Sequence, residues 1–85
     1  MEHELKFKTL ISESWLKEVG FQEKTEGWEY LIQQYGGYND FIYYEFIRHR
    51  LVIQYKCNQV EIIECTKKST MKQALSLVGY KLKGL

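Results

Sequence analysis

Proline is missing from all 85 residues, so turn-making falls to glycine, asparagine and aspartate. Cysteine is scarce: Cys57 and Cys65 are too few for the disulfide framework of a small secreted domain. No apolar run approaches the ~20 residues a membrane-spanning helix needs, and the opening "MEHELKFK" is charged rather than signal-like. The expectation is a soluble protein of a reducing, cytoplasmic compartment. Close pairs of metal ligands are absent too. His3, His49, Cys57 and Cys65 stand at least eight positions apart, whereas zinc ligands usually come in pairs such as Cys-x-x-Cys. Neither a metal nor a cofactor is expected.

The motifs of common catalysts are also lacking. There is no Gly-x-Ser-x-Gly turn and no phosphate-binding glycine loop. His49 is the one histidine outside the leading segment, and its flanks, Arg48 and Arg50, make it a poor general base. A Cys57–Cys65 bridge fails on reach: with a turn at Asn58–Gln59, Cys57 faces Val60 and Cys65 lies far down the next strand. Two small buried thiols at strand ends are expected instead. The chain does not read as an enzyme.

What is present is aromatic mass. Two Trp, seven Tyr and four Phe thicken the thin core that one short domain, residues 1–85, can bury. Hydrophobic residues at 45% and charged residues at 27% exclude a disordered composition. The net charge of +1 hides a gradient. Residues 1–40 carry eight acids and four bases, residues 41–65 three of each, and residues 66–85 five lysines and no acid. Such a split marks a basic docking patch, or else an acidic start and a basic end lying side by side.

Periodicity supplies the elements. Residues 2–8 fit helix or strand. From about Thr9 to Val19, Ile11, Trp15, Leu16 and Val19 share one arc, with Thr9 or Ser12 to cap the start and Gly20 to end it. "FQEKTEG" reads as a loop, and "WEYLIQQY", Trp28 to Tyr35, as a strand closed by "GGYND". "DFIYYEFIRHRLVIQYK" is harder, because both parities are apolar. Two strands at 40–47 and 51–57 are expected, with one long bent strand as the rival, since no Gly, Asn or Asp marks a turn there. "CNQ" is a tight turn and "VEIIEC" a further strand. In "TKKSTMKQALSLVGYKL", Met71, Ala74, Leu75 and Val78 line a helix capped by Ser69 or Thr70 and ended by Gly79. The sum is an α+β fold: a three- to four-stranded antiparallel meander flanked in sequence by an N-terminal and a C-terminal helix, both packed on one sheet face.

The order "WLKEVGF", aromatic strands, then "TMKQALSLVG" resembles a loose class of small uncharacterised bacteriophage and prophage proteins. That resemblance implies a leading helix with a Gly-Phe step, an aromatic meander and a short closing helix. It also implies action against a host or defence protein in the bacterial cytoplasm.

One sheet face has no element left to cover it. With Ile42, Tyr44, Phe46, Leu51, Ile53 and Tyr55 under the helices, Phe41, Tyr43, Ile47 and Val52 fall on the other side. They form either a protein interface, with a foreign partner or with a second copy in a homodimer, or ordinary core beneath the folded-over "HELKFK". The alternative function is nucleic-acid binding through Arg48, Arg50, Lys56, Lys67, Lys68 and Lys72 beside stacking aromatics. The acidic first half weighs against it, because non-specific binding rests on many phosphate contacts.

Overall fold

The computed structural model describes residues 9–82. Helix α1 (Glu13–Val19) leads into β1 (Gln22–Glu23), β2 (Trp28–Gln34), β3 (Asn39–Glu45), β4 (Arg50–Tyr55) and β5 (Asn58–Ile62), and α2 (Lys68–Val78) closes the order. The strands form one antiparallel sheet in sequence order. Five strands replace the three or four expected. The added one is β1, two residues of the supposed "FQEKTEG" loop, which pair with Trp28 and Glu29. So short a strand has no periodicity to show.

Strand register builds the core. Trp28 lies opposite Tyr44, Tyr30 opposite Ile42, Ile42 opposite Ile53, and Tyr44 opposite Leu51, so these side chains share one face. Leu16 of α1 and Met71, Ala74 and Leu75 of α2 bury against them, joined by Phe21, Cys65 and Leu82. Both helices therefore serve one face of the sheet, and the core is single.

The helix ends show which capping signals were readable. Ser12 Oγ accepts from the Trp15 N–H at 3.2 Å, and Glu13 stands in the first turn, so α1 starts later than Thr9. Gly20 and Gly79 end the two helices with φ of 119° and 83°, the left-handed conformation that glycine adopts without a steric penalty. Ser69 and Thr70 do not cap α2. Its N-cap is Lys67, which makes no side-chain cap bond, and an isolated bridge between Leu10 and Lys67 places the helix start.

The "DFIYYEFIRHRLVIQYK" stretch is two strands, not one. They are joined by a turn over Phe46–His49, with His49 at φ 49°. The β4–β5 turn sits at Lys56–Cys57 rather than at Asn58–Gln59: Tyr55 faces Asn58, and the two turn residues have φ of 48° and 69°. Positive φ at both central residues matches the strand twist. Cys57 is consequently exposed and only Cys65 is buried; both thiols are free. The suggestion that "HELKFK" covers the second face lies outside the described residues.

Candidate functional site

The second face can be read row by row. Leu31, Phe41, Gln54 and Gln59 lie across the sheet in one row, Glu29, Tyr43, Val52 and Glu61 in the next, and Glu45 faces Arg50 in a third. Long side chains lie along the middle of this surface, while Leu31 at one edge and Gln59 and Glu61 at the other stay exposed. Arg50 pairs diagonally with Glu61, and Gln54 Nε2 donates to the Asn39 carbonyl at 3.0 Å. The Tyr43 phenol lies on Gly27, where a Cβ would come 2.6 Å from Tyr43 Oη and 2.6 Å from the Tyr44 carbonyl. Glycine is required there by that close approach. As a result Val52 is only 6% exposed, and Phe41 and Tyr43 are half-buried. Burial raises the Tyr43 pKa, and Glu45, Glu26 and Glu29 raise it further against the opposing pull of Arg50.

Of the four residues expected to form an apolar interface, one stands fully in the open. Ile47 is 86% exposed. It belongs to the Phe46–His49 turn and not to the strand assigned to it by parity, because β3 ends at Glu45. Shallow hollows flank it on both sides, walled by Glu13, Glu23, Glu26 and Phe46 on one and by Thr25, Glu45 and Arg48 on the other. Lys24 and Arg48 are the bases lining these hollows, and each already faces an acid, Glu29 at 3.9 Å and Glu45 at 4.0 Å. The rim of Ile47 is acidic.

The turn carrying Ile47 is tied down from behind. Tyr44, wholly buried, donates its hydroxyl proton to the Cys65 carbonyl at 2.6 Å. Its oxygen also lies 3.1 Å from His49 Nδ1. With the phenol proton committed, the imidazole donates from Nδ1. Backbone bonds complete the tie: the Cys65 N–H donates to the His49 carbonyl at 2.7 Å, and the Phe46 ring packs edge-on to Tyr44. Burial raises the Tyr44 pKa, with Cys65 adding to it. His49 is thus a bracing residue of the turn.

The six cations considered for nucleic acid are spread over the molecule. Arg48 and Arg50 sit at one end of β4 and Lys56 just past the other, roughly 20 Å from Arg50 at 3.3 Å per residue. Lys56 and Lys68 stand over the Tyr55 and Trp15 rings, each 5.2 Å from the centroid. Lys67 is at the Leu10 bridge, and Lys72 lines a groove beside α2. Lys56 thus stands apart from Arg48 and Arg50, at the other end of β4.

Sequence reasoning passed over Asp40. It is fully buried, accepting from Tyr35 Oη at 3.2 Å and from the Lys56 N–H at 3.3 Å, while Oδ1 has no partner. It ties the β2–β3 turn to the β4–β5 turn, and the only signal for it was an aspartate at the edge of "GGYND". Cys65, its thiol pushed up to about 11 by burial, is a packed side chain with little thiolate to offer. No group of three or more His, Cys, Asp or Glu side chains is placed to hold a metal among the described residues. No helix among them is long and apolar enough to cross a membrane. Comparison of the chain with protein-family models, curated proteins and solved structures produced no match.

Proposed function

We propose that this protein acts without catalysis, by binding another protein through the Ile47 turn and the aromatic sheet face behind it. One observation supports this above the others: a branched apolar side chain, 86% exposed, on a turn held rigid by the Tyr44–His49–Cys65 bonds. A rigid anchor loses little conformational freedom on docking, which favours binding. Phe41 and Tyr43, half-buried beside it, extend the surface with the residue types enriched at interfaces. The acidic rim favours a partner whose apolar socket is bordered by lysine or arginine. Nucleic acid fits this end poorly, since Glu13, Glu23, Glu26 and Glu45 would face its phosphates. The likeness in pattern to small phage proteins supports an inhibitor of a host or defence protein in the bacterial cytoplasm.

The test is capture from nuclease-treated bacterial lysate on immobilised protein, wild type against Ile47→Glu. A protein retained by the wild type and lost with the variant, at unchanged melting temperature, supports the reading. Retention equal in both, or nothing retained once nuclease has removed the nucleic acid, sinks it.

A further inference from the structure

The chain carries its own version of the socket that Ile47 calls for. A groove of about 440 Å³ runs between the last turns of α2 and the segment that follows, lined by Leu75, Tyr80 and Leu82 together with Lys72 and Lys81. It is predominantly apolar, large enough to take one branched aliphatic side chain, and its lining holds two lysines and no acid. The knob has more acid than base around it, Glu13, Glu23, Glu26 and Glu45 against Lys24 and Arg48 beside an isoleucine.

Knob and groove lie at opposite ends of the fold. The Cys65–His49 backbone bond holds the approach to α2 near the Ile47 turn. The eleven residues of α2 then run back for about 16 Å at 1.5 Å per residue. Beyond Gly79, Tyr80 packs on Tyr55, 5.2 Å between ring centroids, at the far end of β4. Ile47 therefore cannot reach the groove of its own chain.

We propose that copies of this protein associate head to tail, Ile47 of one copy entering the lysine-bordered groove of the next. The proposal rests on reading the Ile47 turn as an interface and names a second copy as its occupant. With knob and groove at opposite ends, a single contact is heterologous and leaves one free knob and one free groove, so it grows into a ring or an open chain. One side chain and a charged rim make a small contact, so association is weak and salt-sensitive.

The test measures solution mass from ~10 μM to ~1 mM, spanning the affinities expected of a small interface, for wild type, Ile47→Glu and the double variant Lys72→Glu/Lys81→Glu. The expected result is a wild-type mass that grows with concentration and falls back in high salt, and two variants that are each monomeric and folded. Mixed in equal amounts, the variants should form a dimer and stop there, because Ile47→Glu keeps the groove and the double variant keeps the knob. A wild type monomeric throughout overturns the proposal, as does an oligomer whose two variants fail to complement each other. If the wild type is monomeric while Ile47→Glu still loses a lysate partner, self-association fails and the binding reading stands.

Discussion

Tyr44 shows how much a single residue can organise. Its ring fills the core between Trp28 and Leu51, while its hydroxyl meets both the Cys65 carbonyl and His49 Nδ1. Removing that hydroxyl leaves a buried carbonyl without its donor, at a cost of about 1–3 kcal/mol. Tyr44→Phe should lower the unfolding free energy by that amount in a denaturant titration. It should also loosen the Ile47 turn, read as faster amide exchange at Cys65, whose N–H bonds to His49. A change below about 0.5 kcal/mol, the level of a neutral surface substitution, would deny the hydroxyl its role. The parity pattern placed Tyr44 in the core, but its hydrogen bonds reach twenty-one residues along the chain, a distance that no local pattern reports.

At the scale of elements, the turns are the weak points. With no proline in the chain and no glycine at these positions, the backbone bends at His49, Lys56, Cys57 and Glu64, all with φ between 48° and 69°. L-residues in that region cost roughly 1–2 kcal/mol each. Replacing the β4–β5 pair by Asn-Gly, the sequence that turn geometry prefers, keeps the Lys56 backbone bond to Asp40. Lys56→Asn/Cys57→Gly should raise stability by about 1–2 kcal/mol, seen as a higher denaturant midpoint at unchanged slope. A lower midpoint would mean that the Lys56 ammonium over the Tyr55 ring contributes more than the strain costs. These residues also explain why the two turns were hard to locate in sequence, since their types do not announce a left-handed backbone.

For the molecule as a whole, the buried phenols and thiol set an alkaline limit. Burial first, then the bonded Tyr30 hydroxyl, pushes Tyr80 from 10.0 to about 12; burial pushes Cys65 from 9.0 to about 11; Tyr44 rises further still. Each folded value lies above the unfolded one, so the stability linked to these groups is fully present below pH 9. It is lost as pH rises through the folded values. The melting temperature should hold steady to about pH 9 and fall steadily toward pH 12, with tyrosinate absorbance at 295 nm lagging that of free tyrosine until unfolding. Coincidence of the two absorbance curves would place these rings in water.

The sequence by itself determined the class of fold and both helix stops, while two apolar parities leave open which face of β3 and β4 lies under the helices. Those features come from local chemistry: a 3.6-residue stripe, glycine at the helix ends, and the two-residue alternation of a strand. It also carried a charge gradient along the chain, acidic in residues 1–40 and basic in residues 66–85. Tertiary structure alone decided the rest. β1 exists because β2 is beside it, and α2 starts at Lys68 where the Leu10 bridge sets it. Ile47, assigned to the sheet by parity, stands clear of it because Tyr44, His49 and Cys65 close the turn one residue after β3 ends. On the second face, exposed by alternation, Val52 is buried and Phe41 and Tyr43 are half-buried, while Leu31 stays exposed. Local periodicity sets the direction of a side chain, whereas cover depends on residues far away along the chain, brought near only by the fold.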